Sequence, residues 1–156
     1  MSKISKIIYF FVTTVFFILT DVFLSDFAIT NGYKLPKNPF FELIFISNEG
    51  AAFSLFEGFK TFLIVFSLIA ILCIIFSTIK RINKVSGLGI FLISMLTAGI
   101  FCNMAERLFF GYVRDYIKLN FIDFPVFNIS DMFINISVAI LIFIIAKNRL
   151  YKKTEK

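Results

Sequence analysis

The sequence predicts an all-α membrane protein with four transmembrane helices. Hydrophobic residues make up 59% of the 156-residue chain, whereas soluble domains are about half apolar. The mean hydropathy is +0.91, and a water-soluble fold of this size has too little interior to bury so much apolar surface. Four apolar stretches are each long enough to cross a hydrocarbon core of about 30 Å, which takes about 20 helical residues.

The predicted spans follow these apolar runs. They cover residues 7–24, 61–79, 85–105 and 127–146. The first span contains Asp21 and the last contains Asp131 near its start, whereas the other two carry no charge. Lysines precede the first span as they do in a secretory signal, but no cleavage site of small residues follows, so we expect an uncleaved anchor.

The distribution of Lys and Arg predicts the orientation of the spans. Ten basic residues and one acid lie at one end of the spans, and six basic residues and nine acids lie at the other. We therefore expect both termini in the cytoplasm and the two long connections on the extracytoplasmic side. The formal net charge of +6 then reflects topology and predicts no nucleic-acid partner.

The connections predict one domain over residues 1–156. The link between the second and third spans is short, so these helices should form an antiparallel hairpin. The segment 30–58 holds several Gly and Pro residues around the run FFELIFIS, which indicates turns and short strands at the membrane surface. No repeat, low-complexity linker or second domain is evident.

The residue types present narrow the possible chemistry. The chain contains no His, which excludes His-based catalytic triads and His-rich metal sites. Cys73 and Cys102 lie in apolar runs without a neighbouring ligand pattern, so packing is favoured over a disulfide, a nucleophile or a metal site. We expect no cofactor and no metal.

Polar residues gather at the outer ends of three spans, where such residues are candidates for function. The candidates there and in the connection before the last span are Asp21, Asn103, Glu106, Arg107, Asp115, Asn128 and Asp131. Residues three or four apart share a helix face, so Asn103 is expected to share a face with both Glu106 and Arg107. A second polar stripe begins the fourth span, and the two stripes can line one cavity.

Asp115 and Asp131 form the candidate catalytic pair. Two close carboxyl groups share a proton, so one can act as a general base on water while the other acts as a general acid. The connection between them must fold back to unite them. Taken singly, each acid is more often a structural, water-facing helix end than a catalytic group, and Arg107 could be an ion-pair partner of Glu106 or Asp131; the clustering of these residues favours catalysis.

Two other classes of function compete with acid–base catalysis by this pair. A proton or cation conduit would distribute carboxylates across the bilayer, but the middles and inner halves of all four spans lack charge. A passive scaffold or small interaction protein would leave the paired acidic blocks without a role.

Four blocks of the sequence resemble the lipoprotein signal peptidases, also called signal peptidase II. They are TDVFL at 20–24, NEGAAFS at 48–54, AGIFCNMAERLFFGYVRDYI at 98–117 and FPVFNISD at 124–131. The second block matches the family signature Asn-x-Gly-Ala-Ala-Phe, and the last two match the blocks that supply the catalytic aspartates. The blocks occur in the family's order and span most of the chain.

This resemblance implies an aspartic endopeptidase of the bacterial inner membrane, with a small extracytoplasmic β-cradle beside four helices. Such enzymes cleave prolipoproteins before a cysteine that carries a diacylglyceryl group, and globomycin blocks their site. The catalytic residues correspond to Asp115 and Asp131. The polar neighbours correspond to Asp21, Asn48, Asn103, Arg107 and Asn128. A monomer in contact with membrane lipid suffices for this chemistry.

Four positions depart from the family pattern. Glu106 stands where the family usually has Asp, Ser25 where it has Lys, Cys102 where it has Gly, and Arg114 where it has an apolar residue. The exchange at position 25 removes a tethering cation. Arg114 could stabilise the ionised form of Asp115 and lower its pKa.

Asn48 admits two interpretations of equal weight. Its amide could hydrogen-bond the substrate backbone, with the small residues at 50–52 permitting close approach, or the residue could form a tight turn that folds the loop. Phe53 and Phe56 could likewise contact acyl chains, although anchoring at the membrane interface is the commoner role of aromatic residues.

Overall fold

The computed structural model describes residues 1–32, 38–51 and 55–154, with side chains as far as residue 148. The expectations for Ala52 and Phe53 lie outside the described residues. The helices are α1 (Lys3–Asn31), α2 (Lys60–Arg81), α3 (Gly87–Phe109) and α4 (Ile129–Thr154), and the strands are β1 (Phe41–Asn48) and β2 (Val113–Leu119). All four helices are long and apolar enough to cross a membrane, so the predicted four-span fold is confirmed.

Local sequence explains where three of the helices begin. Ser2 accepts a hydrogen bond from the backbone N–H of Ser5, and Ser86 accepts one from that of Gly89, each over 3.1 Å. Such caps satisfy backbone donors that a helix leaves unpaired in its first turn. The cap of α4 is Asn128, and it belongs to the candidate site described below.

Helix α3 forms the centre of the bundle and packs against α1, α2 and α4. Its contact with α4 is close at Gly99, where an added Cβ atom would lie 2.6 Å from the carbonyl oxygen of Ser130 and 2.9 Å from Ile134. Small residues permit such approaches between membrane helices. Large apolar side chains elsewhere point outward, as with Phe16, which is 60% exposed, and they suit a lipid surround.

The two strands form an antiparallel sheet, with Ile46 opposite Asp115 and a bulge between Leu43 and Ile46. The strand β1 falls within the segment predicted to form strands. Beyond β2 the chain folds back, because the carbonyl oxygen of Phe127 accepts hydrogen bonds from the backbone N–H groups of Tyr116 and Ile117. This return brings the start of α4 beside Asp115.

At the end of the bundle opposite the sheet, Lys6 ties α1 to the link between α2 and α3. Its ammonium group donates hydrogen bonds of 2.7 to 3.3 Å to the carbonyl oxygens of Ile82, Asn83 and Val85, in the short link between α2 and α3. A cation at the carboxyl end of a helix is favourable because the last carbonyl groups carry partial negative charge.

Candidate active site

A cavity of about 960 Å³ lies between α2, α3, α4 and the sheet. Its polar wall contains Asn48, Asn103, Arg107, Asp115 and Asp131. Its apolar lining includes Phe62, Leu63 and Phe66 of α2 and residues 124–127, which lead into α4. One cavity therefore combines carboxyl, amide and guanidinium groups with a surface suited to apolar chains.

Asn128 links the two candidate catalytic aspartates. Its Nδ2 donates to Asp115 Oδ1 over 3.0 Å and to Asn103 Oδ1 over 3.1 Å. Asn103 in turn donates from Nδ2 to Asp131 Oδ1 over 2.8 Å. The side chain of Asn128 is 2% exposed, so this bridge is shielded from competing solvent.

Asn128 and Asp131 also form a reciprocal cap on α4. The backbone N–H of Asp131 donates to Asn128 Oδ1 over 2.8 Å, and the backbone N–H of Asn128 lies 3.3 Å from Asp131 Oδ2. This geometry is that of a capping box, in which the third helical residue reaches back to the cap. The capping pair thus starts the helix, and its member Asp131 also lines the cavity.

Asp115 is 2% exposed and accepts a hydrogen bond of 2.8 Å from Asn48 Nδ2 at its second oxygen. Burial raises the pKa of Asp115 to about 7, with a further contribution from the charge of Asp131, while the hydrogen bond from Asn48 opposes the shift. A carboxyl group with this pKa is partly protonated near neutral pH. It can therefore donate a proton there.

Of the two roles considered for Asn48, the structure shows the turn, and its amide nitrogen binds Asp115. Besides the bond from Nδ2 to Asp115, its Oδ1 accepts the backbone N–H of Gly50 over 3.0 Å. The second contact is a turn of the kind that Asn side chains favour. The residue therefore folds the loop after β1 and holds a candidate catalytic carboxyl group.

Arg107 does not form the ion pair with Glu106 or Asp131 that was considered for it. Its guanidinium donates to the carbonyl oxygens of Asn103 and Gly50, which ties the loop after β1 to α3. The residue is 7% exposed, and its Nε has no hydrogen-bond partner among the residues that the structure describes. A buried donor of this kind, in a residue that lines the cavity, is suited to an acceptor on a bound molecule.

Glu106 and Asp21 are buried but do not line the cavity, in contrast to the shared face expected for Asn103 and Glu106. Glu106 binds Arg114 through both carboxylate oxygens, and Asp21 Oδ1 accepts a bond of 2.7 Å from Ser130 Oγ. Both acids therefore lie outside the cavity lining and connect elements that form it: Glu106 connects α3 to β2, and Asp21 connects α1 to α4.

The net lowering of the Asp115 pKa that was expected from Arg114 does not occur. Successive residues of a strand point to opposite faces, so the guanidinium of Arg114 lies against Glu106 and Asp26, away from the cavity. The pKa of Asp115 is raised instead, with burial as the main cause.

Two supporting residues, Tyr116 and Ser130, were not among the candidates from the sequence. The hydroxyl groups of Tyr116 and Ser25 lie 3.1 Å apart and join β2 to α1, and Ser130 joins α4 to Asp21. The only indication for Tyr116 in the sequence was the alternation of polar and apolar residues along VRDYIKL, which is typical of a strand with two different faces. Both cysteines are free. Within the described ranges, no three Cys, Asp or Glu residues are grouped to hold a metal ion.

The family model described as "Signal peptidase (SPase) II" matches residues 10–147 of this chain. The chain belongs to the signal peptidase II family. Signal peptidases II are proteases, and membership implies removal of signal peptides from prolipoproteins.

Relatives and solved structures agree with this membership. The lipoprotein signal peptidase of Dehalococcoides mccartyi strain BAV1 is 34% identical over 149 residues, covering 89% of this chain and 91% of the relative. That of Fusobacterium nucleatum is 33% identical over 140 residues, covering 88% and 85%. A bacterial membrane enzyme solved at 2.3 Å resolution superposes with a TM-score of 0.78 at 25% identity, over 90% of this chain and 88% of that one. A second, solved at 1.9 Å, gives 0.74 at 28% identity over 87% and 91%. This chain is therefore a multi-pass bacterial membrane protein of the signal peptidase II family.

Proposed function

We propose that the protein is an aspartic endopeptidase that cleaves prolipoproteins just before a diacylglyceryl-modified cysteine. The observation that carries the proposal is that Asp115 and Asp131 line one cavity and are joined by hydrogen bonds through Asn128. The described residues form one bundle with its sheet, in keeping with a single peptidase domain over residues 1–156.

In the proposed reaction, the Asp131 carboxylate takes a proton from water as the water oxygen attacks the scissile carbonyl carbon. Asp115, partly protonated near neutral pH, gives its proton to the carbonyl oxygen. The tetrahedral intermediate then collapses: the C–N bond breaks, the nitrogen takes the proton held by Asp131, and the carbonyl reforms as one hydroxyl group returns a proton to Asp115. Water supplies the hydroxyl group of the new carboxyl terminus and one proton, so the reaction is a balanced hydrolysis.

The cavity walls suggest how the substrate is held. Arg107 Nε and Asn48 can offer hydrogen bonds to the substrate backbone, and the apolar side chains of Phe62, Leu63 and Phe66 line the opposite wall. Phe56 also lines the cavity, with a left-handed φ of 61°. An apolar wall beside polar donors suits a lipidated cysteine that stays in contact with the bilayer.

The orientation belongs to the same proposal. Lys and Arg at one end of the helices favour cytoplasmic termini, which leaves the cavity and sheet on the extracytoplasmic face of the inner membrane. We further propose that the enzyme acts as a monomer and that globomycin-type inhibitors occupy the same cavity.

The deciding experiment compares Asp115→Asn and Asp131→Asn with Asp123→Asn, using purified enzyme and a diacylglyceryl-modified prolipoprotein resolved on a gel. We expect both dyad variants to lose processing by at least a hundredfold, as for the loss of a group that transfers a proton. Asp123 is exposed and lies in the same connection, so its variant should process normally. Full activity of either dyad variant would exclude the mechanism, and cleavage of an unlipidated substrate would exclude the lipid requirement.

A further inference from the structure

Arg114 joins three elements on the sheet face that points away from the cavity. Its Nε and one terminal nitrogen each lie 2.7 Å from Glu106 Oε1, and its backbone N–H donates to Glu106 Oε2 over 2.7 Å. Its other terminal nitrogen lies 3.3 Å from Asp26 of α1. The guanidinium also lies 4.6 Å from the ring centre of Phe110. Side chain and backbone thus both fasten the start of β2 to the end of α3.

We propose that Glu106 and Arg114 act together as a positioning pair for Asp115, and this inference rests on the proposed function. Asp115 follows Arg114 directly along β2. The bonds from Arg114 to Glu106 therefore fix the backbone position of Asp115 relative to α3. The side chain of Arg114 is 17% exposed and that of Glu106 is 11% exposed. A pair this well shielded orders its neighbours more strongly than a surface ion pair does.

The pair also has an electrostatic consequence for the dyad. The titratable and charged groups around Glu106 are Asp21 of α1, Cys102 and Arg107 of α3, and Arg114, Asp115 and Tyr116 of β2. The charge of Glu106 adds to the rise in the pKa of Asp115, after burial and Asp131. Arg114 offsets that charge because its guanidinium lies on the same carboxylate.

The test measures kcat and KM against pH for Glu106→Gln, Arg114→Gln and the double variant. Loss of Glu106 removes a negative charge that raises the pKa of Asp115, so the alkaline limb of kcat should move to lower pH by roughly half a unit to one unit. Loss of Arg114 leaves an unbalanced carboxylate, so the limb should move to higher pH. The double variant should return close to the wild-type limb, while kcat of each single variant falls about tenfold with KM little changed.

Two further variants separate charge from geometry. Glu106→Asp keeps the charge with a shorter reach, so kcat should fall while the limb stays in place. Lys118→Gln removes another cation of β2, one that pairs with Glu42 away from the cavity, and should leave both parameters unchanged. Thermal stability in detergent, followed by size-exclusion chromatography, identifies any variant that fails to fold.

The proposal of a positioning pair would be overturned if the alkaline limb of kcat stayed in place in both Glu106→Gln and Arg114→Gln. It would also be overturned if the limb moved in the same direction in both variants. Either result would leave the proposed function intact if Asp115→Asn and Asp131→Asn remain inactive. Activity of those two variants would instead remove the proposed function itself.

Discussion

Asn128 is the residue on which the most contacts of the site converge. It caps α4, and it bonds Asp115 and Asn103 through one amide nitrogen. Since it also contacts Asp131 through the backbone, the helix start and the dyad geometry cannot vary independently. Removing the side chain should therefore affect catalysis and the local fold together.

We expect Asn128→Ala to lower kcat by at least a hundredfold, because it frees Asp115 from its link to α4 and removes the cap. Loss of a cap costs about 1 kcal/mol, which is too little to unfold the bundle. Asn128→Ser keeps an oxygen that can cap the helix but loses the amide bridge, so it should regain stability and remain slow. Thermal stability and single-turnover processing measure the two effects, and wild-type rates in Asn128→Ala would contradict the bridge.

Asp115 should also set the pH dependence of processing. As the pH rises through its raised pKa of about 7, the group loses the proton that it donates, so kcat should fall on the alkaline side with the slope of one proton. Asn48→Ala removes a hydrogen bond that favours the charged form, and this should move the limb to higher pH as well as slow the reaction. Asn120→Ala, which alters a contact with Asn38 outside the cavity, serves as the control.

At the scale of elements, the crossing of α3 and α4 determines the distance between Asn103 and Asp131. Gly99 permits that crossing because any side chain there would meet the backbone of Ser130. The return of the chain at Phe127 gives α4 its starting point beside β2. The site thus depends on two close backbone approaches, one in the bundle and one at the sheet.

We expect Gly99→Leu to push the start of α4 away from α3 and to abolish processing, with a loss of about 1–3 kcal/mol or more in stability from overpacking. Gly87→Leu is the matched control within the same helix, because a Cβ atom at Gly87 meets nothing within 4 Å. Thermal stability and processing of both variants give the comparison. Equal behaviour of the two would show that the close crossing is unimportant.

At the scale of the whole molecule, the asymmetry of charge and the position of the cavity lead to one prediction about orientation. A fluorescent protein fused to the C-terminus should fold and fluoresce, as expected on the cytoplasmic side. A cysteine placed at exposed Asn120, near the end of β2, should react in intact cells with a maleimide that cannot cross membranes. Cells with the native cysteines alone provide the background, and protection of position 120 would reverse the proposed orientation.

The four spans and the excluded chemistries could be read from the sequence because each depends on composition or on local spacing. The aspartate pair and its amide neighbours were also predictable as candidates, since polar residues are rare near the ends of apolar helices. The motif FNISD even contains the spacing of a capping box, with Asn128 at the cap and Asp131 three residues later. Local patterns of this kind determine which residues are available at the outer end of the bundle.

Only the tertiary structure decided which of those residues face the cavity. Glu106 and Arg107 are neighbours in the sequence but point about 100° apart on the helix, and their partners come from β2 and from the loop after β1. Asp115 and Arg114 likewise separate because strand residues alternate, a direction that depends on pairing with β1. Contacts between segments that are distant in the sequence therefore determine which side chains face the cavity, and local sequence patterns do not encode those contacts.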